Sequence, residues 1–133
     1  MSNVERFNSG RVLPAGLPFP EGTALGPLVF LSGQLGNVPG TLGLVPGGIR
    51  AEARQALENI ATVLHGQGLG LANLVRCTVM LADMDKWARF NTVYASYFAK
   101  DRLPARSAFG GARLAFDAPL EVECIATTKR PRR

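Results

Sequence analysis

The strongest periodic signal lies over residues 49–65. Ala53, Leu57, Ile60 and Leu64 recur at spacings of three and four, which gathers them on one face of a helix. Gly66 and Gly68 follow and stop it. A second stripe of this kind, Trp87, Phe90, Tyr94 and Tyr97, predicts a helix running to about Phe98, with Asp83 or Asp85 as its cap. Two segments alternate instead. Residues 74–81 place Val75, Cys77, Val79 and Leu81 on one strand face. Residues 119–127 place Leu120, Val122 and Cys124 on one side and Glu121 and Glu123 on the other.

The remaining elements are read from punctuation. Residues 27–34 (PLVFLSGQ) read as a buried strand that ends where Gly33 permits a turn or bulge. Pro104 pushes Leu103 towards extended backbone and opens a strand through Phe109. Residues 4–8 predict a first short strand. Residues 9–26, with Pro14, Pro18 and Pro20, read as irregular. Residues 36–48 hold five glycines and two prolines and form a loop. Strands, helix, strand, helix, strand, strand is the order of an α/β or α+β domain with a mixed sheet. Two helices can cover one face of that sheet. No segment is left for the other, so an oligomer is expected.

The chain has 133 residues, the length of one domain, and is 47% hydrophobic and 19% charged. That supports a core without disulfides or metal and excludes disordered, collagen-like and disulfide-scaffold classes. No apolar run approaches the roughly 20 residues that cross a bilayer. The N-terminal segment has no apolar stretch of the secretory kind. Cys77 and Cys124 sit in strand-like apolar surroundings and read as reduced core thiols, so a cytoplasmic protein is expected. The net charge is +5, but residues 129–133 hold four of the 15 basic groups. The rest balances 11 basic against 10 acidic groups, so no nucleic-acid partner is expected. The basic tail reads as a solvated terminus, with residues 1–128 as the single domain.

Few residues suit chemistry. The single histidine, His65, ends the first predicted helix, where a cation or capping donor is favoured. With no CxxC or HxxxH pattern, no metal site is expected. Phosphate-loop and dinucleotide fingerprints are also absent. Two features remain. Arg106, in the segment Leu103-Pro-Ala-Arg-Ser107, falls among Leu103, Ala105, Ala108 and Phe109, which read as core strand. A guanidinium cannot shed its charge, so it needs an anion there, either an internal carboxylate or a ligand carboxylate or phosphate. Glu121 and Glu123 read either as a solvated face or as a source of one general base beside the arginine.

At these residues the sequence resembles the reactive intermediate deaminase family, also called the YjgF or Rid family. The resemblance runs through Leu31-Ser-Gly-Gln34, Ala53-Arg-Gln-Ala-Leu-Glu-Asn59, Val75-Arg-Cys-Thr-Val79 and Phe90-Asn-Thr-Val-Tyr94. It continues through Leu103-Pro-Ala-Arg-Ser107, Ala112-Arg-Leu114 and Leu120-Glu-Val-Glu-Cys-Ile-Ala126. It implies a chorismate-mutase-like α+β fold, a mixed sheet with two helices on one face, and a homotrimer with ligand clefts between subunits. The implied reaction is hydrolysis of 2-imino acids to 2-oxo acids and ammonia, with no cofactor. Carried over by position, Arg106 holds the substrate carboxylate and Glu121 positions or activates water. Asn91 and the Ser32-Gly33 turn line the cleft. Many deaminases of the family have tyrosine where this chain has Phe19, and cysteine where it has Ala108. A binding module for 2-oxo acids and an RNA-cleaving or RNA-binding role are the alternatives. The chemistry suits the residues, because an imine carbon is already electrophilic and needs only orientation and water.

Overall fold

The computed structural model describes residues 3–129. Six strands make one sheet: β1 (Glu5–Phe7), β2 (Gly22–Leu25), β3 (Leu28–Leu31), β4 (Leu74–Leu81), β5 (Ala105–Phe109) and β6 (Leu120–Thr127). Their order is β1-β2-β3-β6-β4-β5. Only the β4–β5 pairing is parallel. A parallel pair needs a crossover, and the helix α2 (Trp87–Ala95) supplies it. The other helix, α1 (Gly48–His65), precedes β4. Its predicted apolar face is fully buried, and both helices pack into one core with Val29, Leu31, Cys77, Val79, Leu120 and Val122. Both helices therefore cover the same sheet face, giving the α+β architecture expected from the sequence.

The differences from expectation have local causes. Residues 9–26 are not all irregular, because β2 follows the last of their prolines and turns into β3. That two-residue turn needs a positive φ, which Gly26 adopts at 58°. Residues 27–34 are not buried throughout. Val29 and Leu31 enter the core while Leu28 and Phe30 face outward, as the pleat of an antiparallel strand requires. In β4 the core residue is Leu74 rather than Val75, because the register against β6 shifts between Leu74 and Arg76. Asp83 caps a single 3₁₀ turn ahead of α2 through the Asp85 N–H at 2.9 Å. The helix itself ends at Ala95, with Val93 in the core and Trp87 exposed. Leu103 lies exposed ahead of β5, and Phe109 is exposed because β5 is an edge strand with only its Arg106 and Ala108 side turned inward.

The second sheet face stays open, with Leu28, Phe30 and Phe109 on it. Cys77 and Cys124 are buried, free thiols directly opposite each other, their sulfurs 2.7 Å apart. His65 lies exposed in the last turn of α1. The basic tail expected over residues 129–133 falls outside the described residues apart from Lys129. Among the described residues no helix is long and apolar enough to cross a membrane.

Candidate active site

Strand parity divides the candidate residues into two groups. On β5, Arg106 and Ala108 pair with Cys77 and Val79 of β4, so they share the helix-covered face. The guanidinium carbon of Arg106 lies 4.7 Å from the Tyr94 ring centroid and 5.7 Å from that of Phe90. One Arg106 Nη donates to Asn91 Oδ1 at 2.6 Å. Asn91 is on α2, one residue after Phe90, so a single helical turn supplies both the aromatic seat and the amide oxygen. No carboxylate of the described residues lies within ion-pair distance of Arg106; their one ion pair is Arg113–Asp117 on the surface. The internal salt bridge is therefore excluded among these residues. A guanidinium has five donors and Asn91 takes one, so the fork keeps capacity for an anion.

The second group lies on the open face. Glu121 and Glu123 project there because Leu120, Val122 and Cys124 of β6 fill the core. Glu121 rests its carboxylate against Gly33, where any added Cβ would collide with Oε2. The Gly33 segment is pinned on both sides. Ser32 N–H donates to the Glu21 carbonyl at 2.9 Å, and its hydroxyl donates to the Pro20 carbonyl at 2.7 Å. Gln34 exchanges backbone hydrogen bonds with Val122 at 2.8 and 3.0 Å. Phe19, Ser32, Gly33, Glu121 and Glu123 line a common cleft of about 510 Å³. Partial burial, with the negative charge of Glu123 adding to it, holds the Glu121 carboxyl above the usual range. Such a group exchanges protons closer to neutrality than a solvated glutamate.

Within one chain Glu121 is not beside Arg106, so the reading of a general base beside the arginine is not met inside a single subunit, whereas the resemblance implies clefts between subunits. Met80 pairs with Glu121 and with Phe109, whereas Cys77 pairs with Arg106 and with Cys124. The two candidate side chains therefore leave the sheet on opposite faces. Phe19, Ser32 and Gly33 come together with Glu121; Asn91 and Ala108 come together with Arg106.

Glu21 and Phe116 escaped sequence reasoning. Glu21 is fully buried, and its carboxylate accepts the N–H groups of Ser9 at 2.6 Å and Leu13 at 2.8 Å. Its own N–H donates to Asn8 Oδ1 at 2.9 Å. It thereby fixes the loop that carries Leu17 and Phe19 into the cleft. No periodicity marks a structural carboxylate in a proline-rich loop. Phe116 lines the same cleft with φ at 59°, a conformation that its side chain does not announce. Among the described residues no group of three or more His, Cys, Asp or Glu side chains is placed to hold a metal ion.

A family model described as Endoribonuclease L-PSP matches residues 11–128. The 2-iminobutanoate/2-iminopropanoate deaminase of Capra hircus is 39% identical over 126 residues, covering 94% of this chain and 91% of that protein. The crystal structure of yeast Mmf1 matches with a TM-score of 0.89 and 33% identity, covering 96% of this chain and all of that one. That of E. coli TdcF with bound serine matches with a TM-score of 0.83 and 32% identity, covering 94% and 99%. The chain therefore belongs to the Endoribonuclease L-PSP family, which is the reactive intermediate deaminase family that its motifs resemble.

Proposed function

We propose that the protein is a hydrolytic deaminase that converts 2-imino acids to 2-oxo acids and ammonia, at clefts between the subunits of a homotrimer. Relatives named as 2-iminobutanoate/2-iminopropanoate deaminases at this level of identity support the reaction class. The observation that carries the reading is Arg106: a charge seated on aromatic rings, tied to one neutral amide, with no carboxylate partner among the described residues. A ligand carboxylate completes it.

In this reading Arg106 of one subunit holds the substrate carboxylate and Glu121 of the next faces the imine carbon. Glu121 takes a proton from water as the oxygen attacks that carbon, and the C=N double bond becomes a single bond. The proton passes to nitrogen to give the carbinolamine. Glu121 then takes its hydroxyl proton and delivers it to the amine, so that the C–N bond breaks and ammonia leaves as the C=O bond forms. The raised proton affinity of Glu121 suits both halves of this exchange. His65, the single histidine, does not line the Glu121 cleft, and the steps above need no imidazole. Two opposed reduced thiols suit a reducing compartment, and the cytoplasmic location is part of this proposal.

The test generates imines in situ from amino acids with an amino-acid oxidase and traps survivors with semicarbazide. The protein should lower the semicarbazone yield, and Arg106→Ala should restore it. Tight binding of 2-oxobutanoate with no loss of semicarbazone would favour a carboxylate-binding module instead.

A further inference from the structure

The cleft beside Glu121 offers more apolar surface than a methyl or ethyl side chain can cover. Leu13, Leu17, Phe19, Leu35, Leu42 and Phe116 form its wall. In the single chain two of these rings are exposed, Phe19 at 45% and Phe116 at 57%. The neutral polar side chains of the wall are already committed. The Ser32 hydroxyl donates to the Pro20 carbonyl, and the Asn37 amide donates to the Val12 and Thr41 carbonyls. A ligand therefore meets one acidic corner, Glu121 and Glu123, and an apolar wall.

Phe116 is held at the rim by backbone that a residue with a Cβ avoids. Its φ and ψ are 59° and 25°, and Asp117 follows with φ at 52°. Left-handed residues other than glycine persist where surroundings enforce them, and they gather at ligand clamps. Here the result is a large ring at the mouth of a cleft instead of in the core.

We propose that this wall, with Phe116 as its rim, selects 2-imino acids with bulky apolar side chains (branched, thioether or aromatic) over those of alanine size. The proposal rests on the deaminase reading above and assigns the substrate class of that site. The imine carbon faces Glu121 while the side chain lies along the leucines and between the two rings. Discrimination by an apolar pocket amounts to roughly 10- to 200-fold per methylene.

The experiment compares kcat/KM for the imines derived from leucine and alanine in the trapping assay. The wild type should favour the leucine-derived imine by about tenfold or more. Phe116→Asn removes the ring while tolerating the left-handed backbone, and should bring the ratio towards unity. The ratio does not depend on how much of the variant folds. A wild-type ratio near or below one, as expected if a second subunit fills the cleft, overturns the proposal. So does a ratio that Phe116→Asn leaves unchanged. Calorimetry with 4-methyl-2-oxopentanoate and pyruvate reads the same preference without turnover. If the larger 2-oxo acid binds tighter but no imine is hydrolysed, the deaminase reading fails while the selectivity of the wall stands. Equal binding of the two acids overturns the selectivity itself.

Discussion

In the proposed reaction Arg106 and Glu121 do different work, so their removal should leave different traces. Arg106→Ala deletes a charge-assisted fork, and hydrogen bonds to charged groups contribute about 1.5–3 kcal/mol each. Calorimetry should show 2-oxobutanoate affinity falling by more than about tenfold, together with turnover. Arg106→Lys should recover only part, because an ammonium keeps the charge but not the planar fork or the stacking on Tyr94. Glu121→Gln should cut turnover by about 10²–10⁴-fold while 2-oxobutanoate still binds. The acid limb of the wild-type pH profile should lie above the usual glutamate pKa of about 4.3, because burial and Glu123 favour the protonated form. The same shift has a sign in stability. The folded pKa of Glu121 is above its unfolded value, so ionisation costs the fold something as pH rises through that folded pKa. Urea denaturation should therefore show Glu121→Gln gaining on the wild type from pH 4 to pH 8. A gap that narrows with pH would contradict the cause assigned here.

The elements position these groups through two devices, the Gly33 contact and the Glu21 clasp. Gly33→Ala would push a Cβ into the Glu121 carboxylate. A displacement on the order of 1 Å can cost about 100-fold in rate. Steady-state kinetics should show that loss while the secondary-structure spectrum stays unchanged. Glu21→Ala would leave the Ser9 and Leu13 N–H groups without their acceptor in a buried loop. Two hydrogen bonds to a charged group are involved, so urea unfolding should report a loss of about 3 kcal/mol or more. The amphipathic elements were legible in the sequence, because α1, β4 and β6 each bury one regular face. The parity of Glu121 on β6 was legible for the same reason. Its relation to Arg106 was not, because it depends on β4 pairing with β6 on one side and β5 on the other. Such register is set by long-range packing, not by local pattern. Val75 shows the local limit: one register shift moved it out of the core although its neighbours alternate.

At the scale of the whole molecule, the chain carries Arg106 and Glu121 on opposite faces of one sheet, and its open face exposes Leu28, Phe30 and Phe109. A second copy that covers that face can bring one subunit's Arg106 to another's Glu121, and a closed ring of three repeats the contact at every interface. Sedimentation equilibrium should accordingly return three times the chain mass of 14.2 kDa. The most direct test of a site shared between subunits co-expresses Arg106→Ala and Glu121→Gln with different tags and isolates the mixed trimers through both tags. Each variant alone should be nearly inactive. Every mixed ring contains one interface with both residues intact, so the mixed trimers should recover about one third of wild-type imine hydrolysis. Mixed trimers no more active than the two variants alone would contradict the account.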